Sequence, residues 1–460
     1  MMGHTKNRDR RHRPDGKKSR GFSQSLASGA LALAAGLSLL ALSTAASAAV
    51  SNRDRAEFIH NRLTGTQASA QMLDLMEAAI AGGDPKKAAR LAIDGNEAQG
   101  DAYGFETQKQ TPPFYPSGGF YNAVLKNWVS PWTNEEQDVF KELNDFSATI
   151  IGMVRDAESF NTVLSANIIY TGANVANFTS TSSTTYKDIE AAYKQLEASS
   201  APLGDKNVLV KRVQSDVTGI PDSGVAGVMT TRAAARAYFI DGTNRAMFRF
   251  TVLNFLCNDL EQYKDTELPT DRIRQDVSRS PGGDSSIFLN KCSGCHTGMD
   301  GMTSAFAYYD YDYPEGDEEA GKLVYTPGIV QEKYHINSGN FRDGFFTTNE
   351  HWINYWRTGP NSKKIGWRIN PPTRPASSES WNPLYSEGDG AASLGSELAN
   401  TDAFASCMVK KAFKTVCLRE PQQTDDQAAF DAAIQQFENT YDMKQVFIDV
   451  AVHCSTTIKQ

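Results

Sequence analysis

Cysteine and histidine are scarce in this chain, at 6 and 7 of 460 residues. That excludes a disulfide-dense miniature scaffold, and 35 glycines with 18 prolines exclude a collagen-like or low-complexity chain. The sequence lacks a G-x-x-x-x-G-K-[ST] phosphate loop, a G-x-G-x-x-G dinucleotide fingerprint and a Ser/His/Asp hydrolase signature. It shows no fixed-period repeat, and no stretch beyond residue 48 is long and apolar enough to span a bilayer. Positive charge is also short over most of the chain. Residues 1–48 hold eight Lys/Arg against Asp9 and Asp15, an excess of six, so the overall −8 becomes −14 for the remainder. An acidic body argues against nucleic acid or an anionic membrane surface as partner.

The basic stretch to Arg20 precedes an apolar run, Leu26 to Leu42, that ends in Ala46-Ser47-Ala48. These are the three regions of a secretory signal peptide over 1–48. The run is short and Gly/Ser-diluted for a membrane span, and no cysteine follows it for lipid attachment. The expected mature chain starts near Ala49, has no transmembrane anchor after cleavage, and works in the periplasm or at the cell surface.

Helical periodicity dominates the chain beyond residue 48, so the predicted class is mainly α. Ala56, Ile59 and Leu63 form one stripe; Met72, Leu75, Met76 and Ile80 form another, closed by Gly82-Gly83. Thr133-Asn134-Glu135-Glu136 has capping-box spacing ahead of Val139, Phe140 and Leu143. Further helices are predicted over 186–198, 247–260, 402–418 and 446–452, with loops over 103–118, 265–283, 313–321 and 367–397.

Cys292-Ser293-Gly294-Cys295-His296 is a C-x-x-C-H sequence, the attachment pattern for haem c. Two cysteines one helical turn apart match the two vinyl groups of a porphyrin edge, and the adjacent histidine reaches the iron as proximal ligand. Chance would produce the pattern about 0.001 times in such a composition. A zinc site would want a second C-x-x-C and a thioredoxin-like dithiol would want a βαβ setting; neither is present. The expected cofactor is therefore one covalent haem c on Cys292, Cys295 and His296. The domain plan is a helical region of undefined role over 49–280 followed by a helical haem c domain over 281–460.

The remaining cysteines, Cys257, Cys407, Cys417 and Cys454, are even in number in an exported chain and so suggest two disulfides. Cys407 and Cys417 share one predicted helix and lie about 15 Å apart, beyond the roughly 7 Å that a disulfide tolerates between Cα atoms. Two pairings remain: 257–407 with 417–454, or 257–417 with 407–454.

For the sixth iron position, His335 in the irregular Tyr334–Ser338 stretch and Met408 on an apolar helix face are the candidates. Met299 and Met302 follow His296 too closely to reach the opposite face of a haem. His60 and His453 are minor alternatives, and His351 is expected on an exposed face opposite Trp352, Ile353 and Trp356. The acidic, tyrosine-rich run 308–319 fails the EF-hand pattern, because Glu315 falls where glycine is required and Gly321 where glutamate is required.

The segment Asn290 to Gly301 resembles the haem segment of planctomycete-type cytochrome c proteins, in which an Asp-Pro follows C-x-x-C-H; Asp300 matches and Gly301 stands in place of the proline. Phe404-Ala405-Ser406-Cys407 is similar to the family's later helix-opening segment. Gly227–Thr231, Phe255-Leu256-Cys257, and Val154–Asp156 with Phe160–Leu164 are similar to segments upstream. The resemblance implies a secreted, mostly helical haem c protein and suggests Cys257 with Cys407 as a pair. The expected function is single-electron transfer with a redox partner protein of basic surface. A haem peroxidase or oxygenase with an open distal site, or a surface binding module carrying a haem domain, are the alternatives.

Overall fold

Side-chain caps begin many of the helices. Ser51, Ser69 and Asp84 accept hydrogen bonds from the backbone of Asp54, Met72 and Lys87, starting α1 (Asn52–Thr64), α2 (Ala70–Ala81) and α3 (Pro85–Asp94). Gly65, with φ 68°, ends α1 in the left-handed conformation that glycine adopts without a Cβ penalty. Ala56, Ile59, Leu63, Met72, Met76 and Ile80 are buried between these helices, as their spacing predicts. The computed structural model describes residues 50–95, 119–240, 242–277, 285–335, 344–369, 384–422 and 424–458. The segments expected to be a signal peptide, 1–48, and a loop, 103–118, lie outside the described residues.

The helix predicted after Thr133 does not form. Thr133 Oγ1 donates to Ser130 O at 2.8 Å and Asn134 Oδ1 accepts from Asp138 N at 2.8 Å, which draws the capping signals into local turns. Phe140 is left 86% exposed. The helix starts later, as α4 (Asp145–Arg155), with a reciprocal box between Asn144 and Ser147. Next come α5 (Tyr186–Ala198), α6 (Arg232–Tyr238) and α7 (Arg245–Leu256). Helix α7 stops short of the predicted 260 because Cys257 turns left-handed, with φ 56°. Beyond it lie α8 (Ser293–Thr303), α9 (Gly359–Ile365), α10 (Gly390–Ala399), α11 (Asp402–Cys417), α12 (Gln427–Thr440) and α13 (Met443–Cys454).

Strand content is small. Among the described residues, three antiparallel two-stranded sheets pair β1 (Ile169–Gly172) with β2 (Leu209–Arg212), β3 (Tyr309–Asp312) with β4 (Lys322–Tyr325), and β5 (His351–Asn354) with β6 (Ser386–Asp389). The described fold is thus mainly α. Residues 386–397 of the predicted 367–397 loop are structured, in β6 and the start of α10, while 370–383 lie outside the described residues.

One hydrophobic cluster runs from Ala56 to Cys454 and draws on both sides of residue 280. Helix α7 packs against α8 and α11, and Cys257 at its end is bonded to Cys407. Ala49–Gln460 is a single compact unit. The boundary expected at 280/281 lies among residues outside the described set. Among the described residues, no helix is long and apolar enough to cross a membrane.

Candidate functional site

The C-x-x-C-H sequence sits at the start of α8. Cys292 ends a π-helical turn over Phe288–Cys292 and stands at the N-cap of α8; Cys295 and His296 follow in its first turn. Ser293 Oγ donates to Leu289 O at 2.9 Å, joining the turn to the helix. The loop after α7 closes over this end: Thr297 Oγ1 donates to Asp265 O at 2.8 Å, and Asp265 N donates to Gly294 O at 2.9 Å. Cys292 packs on a small cluster of Ile273, Val277 and Phe288, separate from the main core.

The six cysteines divide into two kinds. Cys257 pairs with Cys407 and Cys417 with Cys454, at Cα separations of 5.3 and 5.8 Å. This is one of the two pairings that helix geometry allows, and Cys407 and Cys417 do share one helix. Cys292 and Cys295 are half-buried and unpaired. Burial pushes the Cys295 thiol up, with Glu261 adding to the effect.

Behind His296 is a buried charged cluster. His296 Nδ1 lies 3.1 Å from both carboxylate oxygens of Asp300, one helical turn on. Asp300 is fully buried. Arg245, from the start of α7, donates to it through Nε at 2.8 Å and Nη2 at 2.9 Å, and the backbone N of Arg274 donates at 3.2 Å. Arg245 also grips Asp276, through Nη1 and through Nη2 at 3.0 Å. Burial alone would raise the Asp300 carboxyl, but the Arg245 charge and the hydrogen bond to His296 outweigh it and hold it well below the usual carboxylate range. Arg274 is fully buried, and its guanidinium lies 4.4 Å from the Tyr334 ring centre.

The far side of α8 presses on β5 and Trp356. A Cβ at position 301 would lie 2.8 Å from Ile353 O, so the close approach of β5 requires glycine where the resembling family has proline. Met299 and Met302 are buried in the main core.

Of the two sixth-ligand candidates, His335 ends a 3₁₀ turn and its ring stacks on Phe346, with centres 4.5 Å apart. Its Nδ1 is buried without a hydrogen-bond partner among the described residues. Residues 336–338 of its stretch lie outside the described residues. Met408 is fully buried on α11 within the main core, whereas Cys292 belongs to the separate small cluster. His60 is held by Thr66 O and His453 by Asp426.

His351 is not on an exposed face. It lies buried in β5, with Nε2 3.0 Å from Glu387 Oε2 and Nδ1 3.1 Å from Asp389 Oδ1, because the segment is a strand paired with β6 and not a helix. The acidic run 308–319 folds as part of the β3–β4 hairpin, where Lys333 Nζ donates to Asp310 at 2.6 Å and Arg236 pairs with Glu319. Among the described residues, no group of three or more His, Cys, Asp or Glu is arranged to hold a metal ion.

Sequence reading missed Arg245, Arg274 and Asp276. They lie 55, 26 and 24 positions before Asp300, and no local pattern joins them. The i,i+4 spacing of His296 and Asp300 on a helix was the signal available. No protein-family model, curated protein or solved structure matches this chain.

Proposed function

We propose that the protein is an exported c-type haem protein that carries single electrons between redox partners in the periplasm or at the cell surface. Cys292 and Cys295 would hold one haem through thioether bonds, and His296 would be its proximal iron ligand. The haem supplies one-electron redox chemistry. The observation that carries this reading is the division among the cysteines. The four outside the motif are bonded to one another, and the two inside it stay unpaired at the start of a helix. The adjacent histidine commits Nδ1 to Asp300, which leaves Nε2 as the ligating atom. The resemblance to planctomycete-type cytochrome c proteins supports the same reading. The core shared across residue 280 supports reading residues 49–280 as structural support for the haem segment.

The acidic body favours a basic redox partner, with an encounter rate that falls as salt rises. Intact mass of the protein exported from a host competent in haem maturation is the test. A gain of one haem over the chain is expected, lost in Cys292→Ala/Cys295→Ala; an unmodified wild-type mass would overturn the reading.

A second reading, a haem peroxidase or oxygenase, is favoured by the carboxylate behind the proximal ring, since a more basic imidazole donates more strongly to iron. Prompt perturbation of a high-spin ferric spectrum by cyanide would select it over electron transfer.

A further inference from the structure

We propose that Asp300 is a positioning residue for the haem iron: it accepts the Nδ1–H of His296, fixes the ring's tautomer and orientation, and makes the imidazole a stronger donor, which lowers the reduction potential. The proposal rests on the haem reading above. A histidine that binds metal through one ring nitrogen is set by what the other nitrogen bonds, and an anionic acceptor raises its basicity. Stronger donation stabilises ferric over ferrous iron.

The surroundings are built to keep that acceptor in place. Asp300 is fully buried, and three donors besides the ring fix its oxygens: Arg245 Nε, Arg245 Nη2 and the backbone N of Arg274. The carboxylate cannot turn away from His296 without breaking both bonds to the half-buried Arg245 guanidinium, which is costly at a fully buried acceptor. The charges of Arg245 and Arg274 are matched by those of Asp300 and Asp276, so the cluster as a whole is neutral. The influence on the iron therefore comes through the hydrogen bond to the ring and not from a net buried charge.

Asp276 supplies the control. It meets the same arginine through Arg245 Nη1 and Nη2. Asp276→Asn and Asp300→Asn remove the same charge from one cluster, but only the second alters the partner of His296.

The experiment compares wild type, Asp300→Asn and Asp276→Asn as haem-loaded full-length mature proteins, by potentiometric titration and by ferric electron paramagnetic resonance. Asp300→Asn should shift the ferric/ferrous equilibrium at least tenfold toward ferrous, a rise of about 59 mV for one electron. Asp276→Asn should shift it less. The ferric g values should move in Asp300→Asn and stay in Asp276→Asn, a signature that loss of structural support alone would not produce. Equal shifts with unchanged g values would overturn the proposal. Should Asp300→Asn fail to accumulate, Asp300→Glu keeps the charge while displacing the carboxylate; moved g values support the proposal and unmoved ones overturn it. Intact mass is read first. An unmodified chain overturns the haem reading itself, whereas a loaded chain indifferent to Asp300 overturns this inference alone.

Discussion

Gly298 and Trp356 meet without room for a side chain between them. A Cβ at position 298 would lie 2.7 Å from both Cδ1 and Cε2 of the indole, and nearer still to Nε1. Trp356 is 1% exposed and wedged against Tyr263 and Phe248, with ring centres 4.8 and 5.6 Å away, so it cannot retreat. This contact seats the helix that carries Cys295 and His296 on the body of the protein. Gly298→Ala should therefore destabilise by about 3 kcal/mol or more, the upper end of what overpacking costs. Urea denaturation measures it. A loss below about 0.5 kcal/mol, the level of a neutral surface change, would mean that α8 is not held by this contact.

The two disulfides should contribute unequally. Cys257–Cys407 closes a separation of 150 residues and Cys417–Cys454 one of 37. Cross-link entropy grows with the logarithm of loop length, so the first should contribute about 5 kcal/mol and the second about 1 kcal/mol less. Equilibrium denaturation of Cys257→Ala/Cys407→Ala against Cys417→Ala/Cys454→Ala tests the order. Non-reducing peptide maps test the pairing itself.

How far such features could be read from the residues depended on how local they were. The attachment pattern lies within five consecutive positions, and the rise per residue of a helix was enough to exclude Cys407 pairing with Cys417. Local competition and distant partners defeated the rest. Thr133 and Asn134 looked like a helix start, but they bond to Ser130 and Asp138 in local turns, leaving Phe140 in solvent. His351 looked surface-bound because its neighbours were read with helical periodicity. Its place is fixed by pairing with residues 386–389, across a span that no local pattern encodes. The cluster around Asp300 has the same character: Arg245 is useful to it only because α7 folds onto α8.

Glu350, beside the β5–β6 pair, should make stability depend on pH. Burial pushes its carboxyl up to about 7 from an ordinary 4.5, with Asp389 adding to the rise and the Tyr325 hydroxyl opposing it. The folded state thus holds this proton over a range where the unfolded chain has lost it. The stability from the protonated form is complete below pH 4.5 and is lost as pH rises toward 7. Glu350→Gln should leave the melting temperature nearly unchanged at pH 4 and raise it relative to wild type at pH 8. A difference constant across that range would show that Glu350 does not titrate this way.

The sixth iron position separates the two haem readings, and the buried nitrogen of His335 gives it a direction. The His335 ring is held against Phe346 while Nδ1 has no hydrogen-bond partner among the described residues, an arrangement that costs free energy unless something is bound there. The neighbouring Phe345 pairs with the strand-like segment at Ile273–Gln275, whose Arg274 N reaches Asp300, so His335 belongs to the same region of the fold as His296. Met408, by contrast, is fully buried in the main core. His335→Ala in the haem-loaded protein should convert a low-spin ferric spectrum to high-spin and open the iron to cyanide. Met408→Leu keeps the volume of the core, so it should leave the spectrum alone and change stability by less than about 1.5 kcal/mol. A high-spin spectrum in Met408→Leu with His335→Ala unchanged would assign the ligand to Met408. A wild-type spectrum already high-spin would leave no protein ligand on that side and favour the enzyme over the electron carrier.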